Sequence, residues 1–522
     1  MKRVLTVLCV LFTLFQGGFF DTVWALCGIA AITFLMFRMT KLPSLTVMIC
    51  IGALLFVYTG SIIYHGLSYE ALASLTKLTV ACLLLIVFCD VETDVAETLF
   101  IAGIAVAVIG CLAFLGILPL EGNVTTRRLQ GVFQYANATG IFLAAAAFMT
   151  RLNSKRRRYA VIMEAALLLT QSVGAILVYI IGWVVYLLKN KSTYPKIFRR
   201  KWIIWTGSGL VFITAMVVLL LVRGYNPFTT YLDRLVQISD GLGLMTRHPL
   251  GIGPGVWQFH SQSYQSARYL VTKIHSEYIA IGANAGLFAL IPLLVFLIYW
   301  LRRQEWDGKT ICAGMILLHA VLDIPFSFLP IVFVLAMLFA ETLPKPVLKT
   351  PAVCRIFLLL PLALCVFILI SSAVKNQAAW SVQGGDPARA AIMLDNRLMR
   401  NDTDAILTRM ALYIDMGRHD ELDRAFSELR RPNAEAYARM TQSYIQRERY
   451  PEAAAHALAC IEASPHSPRG YALLEYSILH LEPVLQEDYR MKMAKLREQS
   501  VEHPLFTYIY KLMGDQELSG TP

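Results

Sequence analysis

Long apolar runs separated by short polar loops fill the first 375 residues of the chain, and the pattern changes after Lys375. Thirteen runs are long enough, or nearly so, to cross about 30 Å of hydrocarbon. They lie at roughly 4–20, 22–37, 44–64, 72–89, 97–118, 132–149, 159–172, 174–188, 202–222, 276–300, 310–323, 327–341 and 353–374. The pairs 159–188 and 310–341 also suit bent or re-entrant hairpins. Run 4–20 has no small-residue cleavage site after it and a second run begins at once, so it is expected to stay as a membrane helix. The expected fold is all-α, with a polytopic membrane bundle over 1–375 and a helical domain over 376–522.

In that second part Ala, Arg, Glu and Tyr recur at helical spacing. Residues 434–467 place Ala434, Tyr437, Met440, Tyr444, Tyr450, Ala453, Ala457 and Cys460 at the crossing positions of two antiparallel helices, with Pro465 as a stop. The unit resembles a tetratricopeptide repeat, and a weaker copy one unit earlier carries Tyr413, Leu422 and Leu429. A plain amphipathic bundle is the alternative. Repeats of this kind present a groove to a protein partner and carry no catalytic set of their own.

Composition agrees with the pattern. Hydrophobic residues form 57% of the 522 and charged residues 16%, with a mean hydropathy of +0.55. A soluble chain of this size would show far more charge. Net charge is +11, yet residues 376–522 hold 17 Lys/Arg against 21 Asp/Glu, a net of −4, which leaves +15 on the membrane part. That excess flanks apolar runs and faces anionic lipid, so it is no argument for nucleic acid. With Lys2 and Arg3 inside, the loops at 38–41, 151–158, 189–201, 302–309 and 345–355 share one side, and all are basic, as cytoplasmic loops are. The acidic loop 90–97 departs from the rule. An odd number of spans then puts the large loop 223–275 and the whole tail outside the cytoplasm. Of ten cysteines, nine lie in or beside apolar runs, so no disulfide framework is expected.

Cations on the external side are the candidate chemistry. Residues 119–139 contain Arg127-Arg128-Leu129-Gln130-Gly131-Val132-Phe133-Gln134-Tyr135-Ala136-Asn137. Two adjacent guanidinium groups at the mouth of the sixth run suit a phosphate or diphosphate. Snorkelling to lipid phosphates is the plainer role for either one. The loop 223–275 carries Arg234, Arg247, Arg268, Lys273 and His275, with the run His248-Pro249-Leu250-Gly251-Ile252-Gly253-Pro254-Gly255. Arg234 heads an amphipathic stretch at 232–245, where an ion pair to Asp233 or Asp240 is the local alternative. The glycine run follows no strand and lacks a Lys-Ser/Thr end, so it is no nucleotide loop. A tight turn that offers amides to an anion, or reverses the chain, is expected. His275, followed by Ser276, Glu277 and Tyr278, can accept a proton from a hydroxyl, bond a phosphate, or merely cap a helix. Lys77, Glu164 and the pair His319/Asp323 are polar residues within apolar runs.

Taken together these pieces resemble the O-antigen ligase/polymerase superfamily of membrane glycosyltransferases over roughly residues 90–341. The matching elements are Arg128-x-x-Gly131-x-Phe133-x-x-x-Asn137, then Arg234 leading through Met245 to His248-Pro249-x-Gly251-x-Gly253-x-Gly255, then His275-Ser276-x-Tyr278 with Asn284-x-Gly286-Leu287. Two departures stand out: Ser172-Val173-Gly174 where the family often has Ser-Arg-Gly, and Ser276 where Asn is usual. The resemblance implies a GT-C-like, all-helical transferase of the bacterial cytoplasmic membrane that needs no metal or cofactor. Its donor would be a glycan on undecaprenyl diphosphate and its acceptor a glycan, a lipid or a protein. Arg128 and Arg234 would stabilise the leaving diphosphate, supported by Arg127 and Arg247. Asn137 and Tyr278 would join in substrate binding, and His275 would activate the acceptor hydroxyl. Polymerase, ligase and protein oligosaccharyltransferase all remain open. A transporter would predict mid-membrane charges and two related halves, neither of which is visible. A scaffold whose tail recruits envelope proteins is the other class.

Overall fold

The computed structural model describes residues 2–38, 40–120, 128–189, 227–267, 269, 271–344, 348–349, 352–500 and 504. The run 202–222, Arg127 and Arg268 lie outside the described residues. Within them the chain is helical, apart from a two-residue antiparallel pairing of Lys41–Leu42 with Leu348–Lys349.

Five helices are long and apolar enough to cross a membrane: Asp21–Arg38, Leu45–His65, Tyr69–Asp90, Val95–Phe114 and Arg355–Gln383, the last counted with its short 3-10 entry. Shorter apolar helices at Arg3–Leu14, Ala136–Leu152, Val173–Lys189, Leu287–Leu301 and Leu329–Thr342 pack among them. The expected run 276–300 is not one helix. It divides at Gly286 into Glu277–Ala285 and Leu287–Leu301. Gly286 has φ +86°, and a Cβ there would lie 2.4 Å from the Pro249 carbonyl oxygen. The runs 159–172 and 310–323 form helices Ala160–Thr170 and Gly308–His319. At 1.5 Å per residue each is about 16–18 Å long, roughly half the hydrocarbon thickness.

Two helices lie at the centre because nearly all their residues are apolar or small. All residues from 136 to 150 and from 329 to 339 are buried. Small residues set how close neighbours come: a Cβ on Gly103 would sit 2.5 Å from the Ala146 Cβ.

The last apolar helix, Leu359–Gln383, runs straight through the change of composition at residue 375 and ends at Gly384. Helices Pro387–Leu394, Thr403–Asp415, His419–Glu428, Ala434–Gln446, Tyr450–Ala463, Pro468–Ile478 and Pro483–Gln499 follow. Asp386, Asp402 and Asn433 cap three of them by accepting backbone N–H bonds, which sets where each helix starts. Ala453, Ala457 and Cys460 are buried where Tyr450–Ala463 packs on its predecessor, with the Cys460 thiol 3.3 Å from the Ala434 carbonyl. These helices rest on the loop between Leu45–His65 and Tyr69–Asp90. The Tyr69 amide donates to the Asn401 carbonyl at 3.0 Å, and the Thr403 amide to Glu70 Oε1 at 2.8 Å. The Lys375 ammonium lies 3.0 Å from Asp402.

Candidate functional site

Arg128 and Arg234, about a hundred residues apart in sequence, are connected by a chain of side-chain hydrogen bonds that ends in an ion pair. Arg128 enters the fold just before a 3-10 turn, Gly131–Phe133, and the helix Ala136–Leu152. Its Nε donates to the Thr170 carbonyl at 3.0 Å, and an Nη donates to Asn137 Oδ1 at 2.9 Å. The Asn137 amide donates to the Tyr135 hydroxyl at 3.2 Å, which donates in turn to Asp323 Oδ1 at 2.8 Å. The second Asp323 oxygen is 3.1 Å from an Arg234 Nη, and the other Nη of Arg234 donates to the Leu322 carbonyl at 2.6 Å. Arg234 and Asp323 are both buried. Burial forces such a pair to satisfy itself, because an isolated charge away from water is costly. The local pairing to Asp233 or Asp240 does not form. Asp240 instead accepts from the Ser266 amide and hydroxyl and from the Tyr269 hydroxyl, at 2.6–3.0 Å.

His275 bonds Gln237, which stands one helical turn beyond Arg234 on the helix Pro227–Arg247. Gln237 Oε1 accepts the His275 backbone N–H at 3.2 Å and lies 2.8 Å from the His275 Nδ1. A backbone N–H can only donate, so the Gln237 atom facing it is the oxygen. The same oxygen then requires a hydrogen on Nδ1, which leaves the Nε2 lone pair of the neutral ring as the acceptor. Burial lowers the His275 pKa below the ordinary imidazole value, and the Arg234 charge lowers it further, against the opposing pull of Asp323. At neutral pH the ring is therefore uncharged and can take up a proton.

The remaining predicted residues divide. Asn137 sits between Arg128 and Tyr135, so it orients the guanidinium. The Tyr278 hydroxyl donates to the Leu317 carbonyl at 3.0 Å, which ties its helix to Gly308–His319. Arg247 is exposed, with its Nε on the Gly243 carbonyl at 3.1 Å. It lies 13 residues from Arg234 on one helix, or about 20 Å at 1.5 Å per residue. Arg127 falls outside the described residues.

The glycine run is a wedge between segments. Gly251, Gly253 and Gly255 have φ of +80°, +101° and +82°. A Cβ on each would meet, in turn, the Asn284 carbonyl oxygen at 2.5 Å, the His65 Cβ at 2.9 Å and the Glu70 Cβ at 2.5 Å. Amides of Ile252 and Gly253 donate to the Ala283 and Asn284 carbonyls at 2.9 and 3.1 Å. These two amides are therefore committed to the protein itself. The second and third sequence elements, around Gly251 and Gly286, lock onto each other.

Three residues that complete the chain were not picked out as site residues from the sequence. Tyr135 was visible inside the Arg128–Asn137 string. Gln237 stands three positions after Arg234, where a helix brings side chains together. Asp323 had the strongest signal, as an acid at the end of an apolar run. Lys77 and Glu164 pair away from this chain, with Asp21 at 2.6 Å and Arg151 at 2.5 Å.

No protein-family model matches this chain, and no curated protein matches it.

Proposed function

We propose that this chain transfers a glycan from an undecaprenyl-diphosphate donor to an acceptor hydroxyl at the outer face of a bacterial cytoplasmic membrane, as the O-antigen ligase/polymerase superfamily does. The observation that carries the reading is the convergence of three separate segments: Arg128 is linked to Arg234 through Asn137, Tyr135 and Asp323, and His275 bonds Gln237 on the helix that carries Arg234 and lies within the electrostatic reach of Asp323 and Arg234. In this scheme His275 Nε2 takes the proton from the acceptor hydroxyl, and the hydroxyl oxygen bonds to the anomeric carbon. The bond from that carbon to the diphosphate oxygen breaks. The leaving lipid diphosphate keeps the electron pair, and Arg128 and Arg234 stabilise its growing charge. Asp323 holds Arg234 in place and Asn137 holds Arg128, which makes both positioning residues. The proposal includes thirteen spans, a tetratricopeptide-like tail outside the cytoplasm, and no metal, since the external loops carry no Asp-x-Asp pair. A polysaccharide polymerase or ligase is preferred over a protein oligosaccharyltransferase, because nothing marks a site for a protein acceptor.

The test is incubation of the purified full chain with a lipid-diphosphate oligosaccharide, followed by analysis of product length and attachment. Loss of transfer in Arg128→Ala and in His275→Ala, with expression unchanged, supports the reading. Full activity in either variant removes that residue from the mechanism. One observation favours a non-catalytic scaffold instead: both arginines hydrogen-bond within the protein. Absence of any transfer by the wild-type chain, across glycan, lipid and peptide acceptors, would leave that second reading standing.

A further inference from the structure

A cavity opens where the tail helices meet the glycine wedge and the loop between Leu45–His65 and Tyr69–Asp90. It lies away from the Arg128–His275 chain and shares no residue with it. Its wall includes His65, Glu70, His260, Glu428, Arg430 and Arg431. The two acids are already engaged: Glu70 accepts the Thr403 amide at 2.8 Å, and Glu428 pairs with the buried Arg409. Arg430 and Arg431 neither hydrogen-bond nor ion-pair with any of the described residues, and both are exposed. The Arg430 guanidinium lies across Gly66, so near that a Cβ there would overlap it. Gly66 has φ +98°, and its missing side chain leaves the slot that the guanidinium occupies. The His65 Nε2 is buried without a hydrogen-bond partner. Burial, and then the Arg431 charge, hold the His260 pKa at about 4, so at neutral pH the positive charge comes from the arginines.

The surroundings indicate what anion this is. The cavity sits at the ends of two helices long and apolar enough to cross a membrane, at the level where lipid phosphates lie. Beside it Ile63, Tyr64 and Leu67 are 73%, 72% and 53% exposed, an apolar strip next to a cationic slot. Amphipathic ligands fit such a pairing, and a water-soluble anion leaves the strip unused.

We propose that the Arg430–Arg431 cavity binds the phosphate or diphosphate headgroup of a membrane lipid and so seats the tail helices on the bilayer. The two forks suit phosphate oxygens in the bidentate manner of guanidinium groups. The proposal stands apart from the transferase reading, because it concerns binding and uses other residues.

The experiment uses the full chain in detergent, with native mass spectrometry and titration of three probes: phosphatidylglycerol, phosphatidylcholine and farnesyl diphosphate. The expected result is that phosphatidylglycerol, farnesyl diphosphate or both bind more tightly than phosphatidylcholine. The Arg430→Ala/Arg431→Ala variant should bind the preferred probe at least about tenfold more weakly, the loss of one charge-assisted hydrogen bond. The double Lys variant should recover part of that loss, since it keeps the charge and loses the fork. A tenfold effect confined to phosphatidylglycerol names a bulk phospholipid as the source, and one confined to farnesyl diphosphate names a polyprenyl diphosphate. Equal binding of all three probes to wild type and double-Ala protein overturns the proposal. Both arginines are exposed, so the variant should keep the wild-type melting temperature. A variant that melts early is replaced by Arg431→Gln, which leaves Arg430 on Gly66 and should still weaken binding severalfold.

Discussion

Two buried arginines of this chain meet acids in different ways. Arg409, in the tail, pairs with Asp395 at 2.5 Å and with Glu428, which lie 14 and 19 residues away in sequence. Among the described residues its ion pairs stop at these two carboxylates. Arg234 pairs with Asp323 and bonds a carbonyl 88 residues away. From Asp323 the bonding continues through a tyrosine and an asparagine to Arg128, and the His275 imidazole bonds Gln237, one turn from Arg234. Burial and pairing are common to both arginines, so neither marks chemistry. What separates them is the convergence of distant segments on a group able to move a proton.

The largest expected difference is in rate. His275→Ala should lower transfer by about 10²- to 10⁴-fold, and Arg128→Ala by about 10²- to 10³-fold, measured on lipid-diphosphate oligosaccharide. Arg409→Leu should instead leave turnover per folded molecule unchanged. It should cost about 3 kcal/mol of stability, because two carboxylates lose their cation. The figure is at the low end because Asp395 is 57% exposed. Thermal unfolding with an activity assay separates the two cases, and a large rate loss in Arg409→Leu would erase the contrast. Gly286→Ala tests the wedge: the left-handed backbone and the 2.4 Å approach to Pro249 predict a loss of about 1–3 kcal/mol, read as a fall in melting temperature. An unchanged melting temperature would mean that the two glycine elements are not locked.

A smaller effect concerns pH. His275 accepts a proton only when neutral, and its folded pKa lies below the ordinary value. Activity should therefore persist as pH falls through about 6.5 and be lost below it. Asp323 favours the charged ring, so Asp323→Asn should let the pKa fall further and move the acid limb of the rate profile to lower pH. A shift to higher pH would show that the Asp323 charge does not reach the imidazole. Smallest of all, a chelator should leave the rate unchanged. Its loss, with recovery on adding a divalent cation, would overturn the metal-independent scheme.

Much of this is legible in the sequence. The strings Arg128-to-Asn137 and Arg234-to-Gly255 and the residue His275 were evident, because a cation amid apolar runs is conspicuous wherever it lies. The break at Gly286 was not, since a helix of apolar residues and two helices divided by a glycine have the same composition. What divides them is the Pro249–Leu250 backbone, brought against Gly286 from another segment. The sequence predicts a tight turn for the glycine run, one that offers amides to an anion or reverses the chain, yet two of its amides bond the Ala283 and Asn284 carbonyls. Backbone partners about thirty residues apart leave no trace in local pattern.

Apolar periodicity settled the helical class and the break in character at residue 375, because lipid contact and helix amphipathicity are properties of neighbouring residues. Which acid faces Arg234, and which tautomer His275 carries, came from packing alone. Asp323 prevails over Asp233 and Asp240 because the fold buries it against the guanidinium, and a buried charge must take the partner that the surrounding helices bring to it.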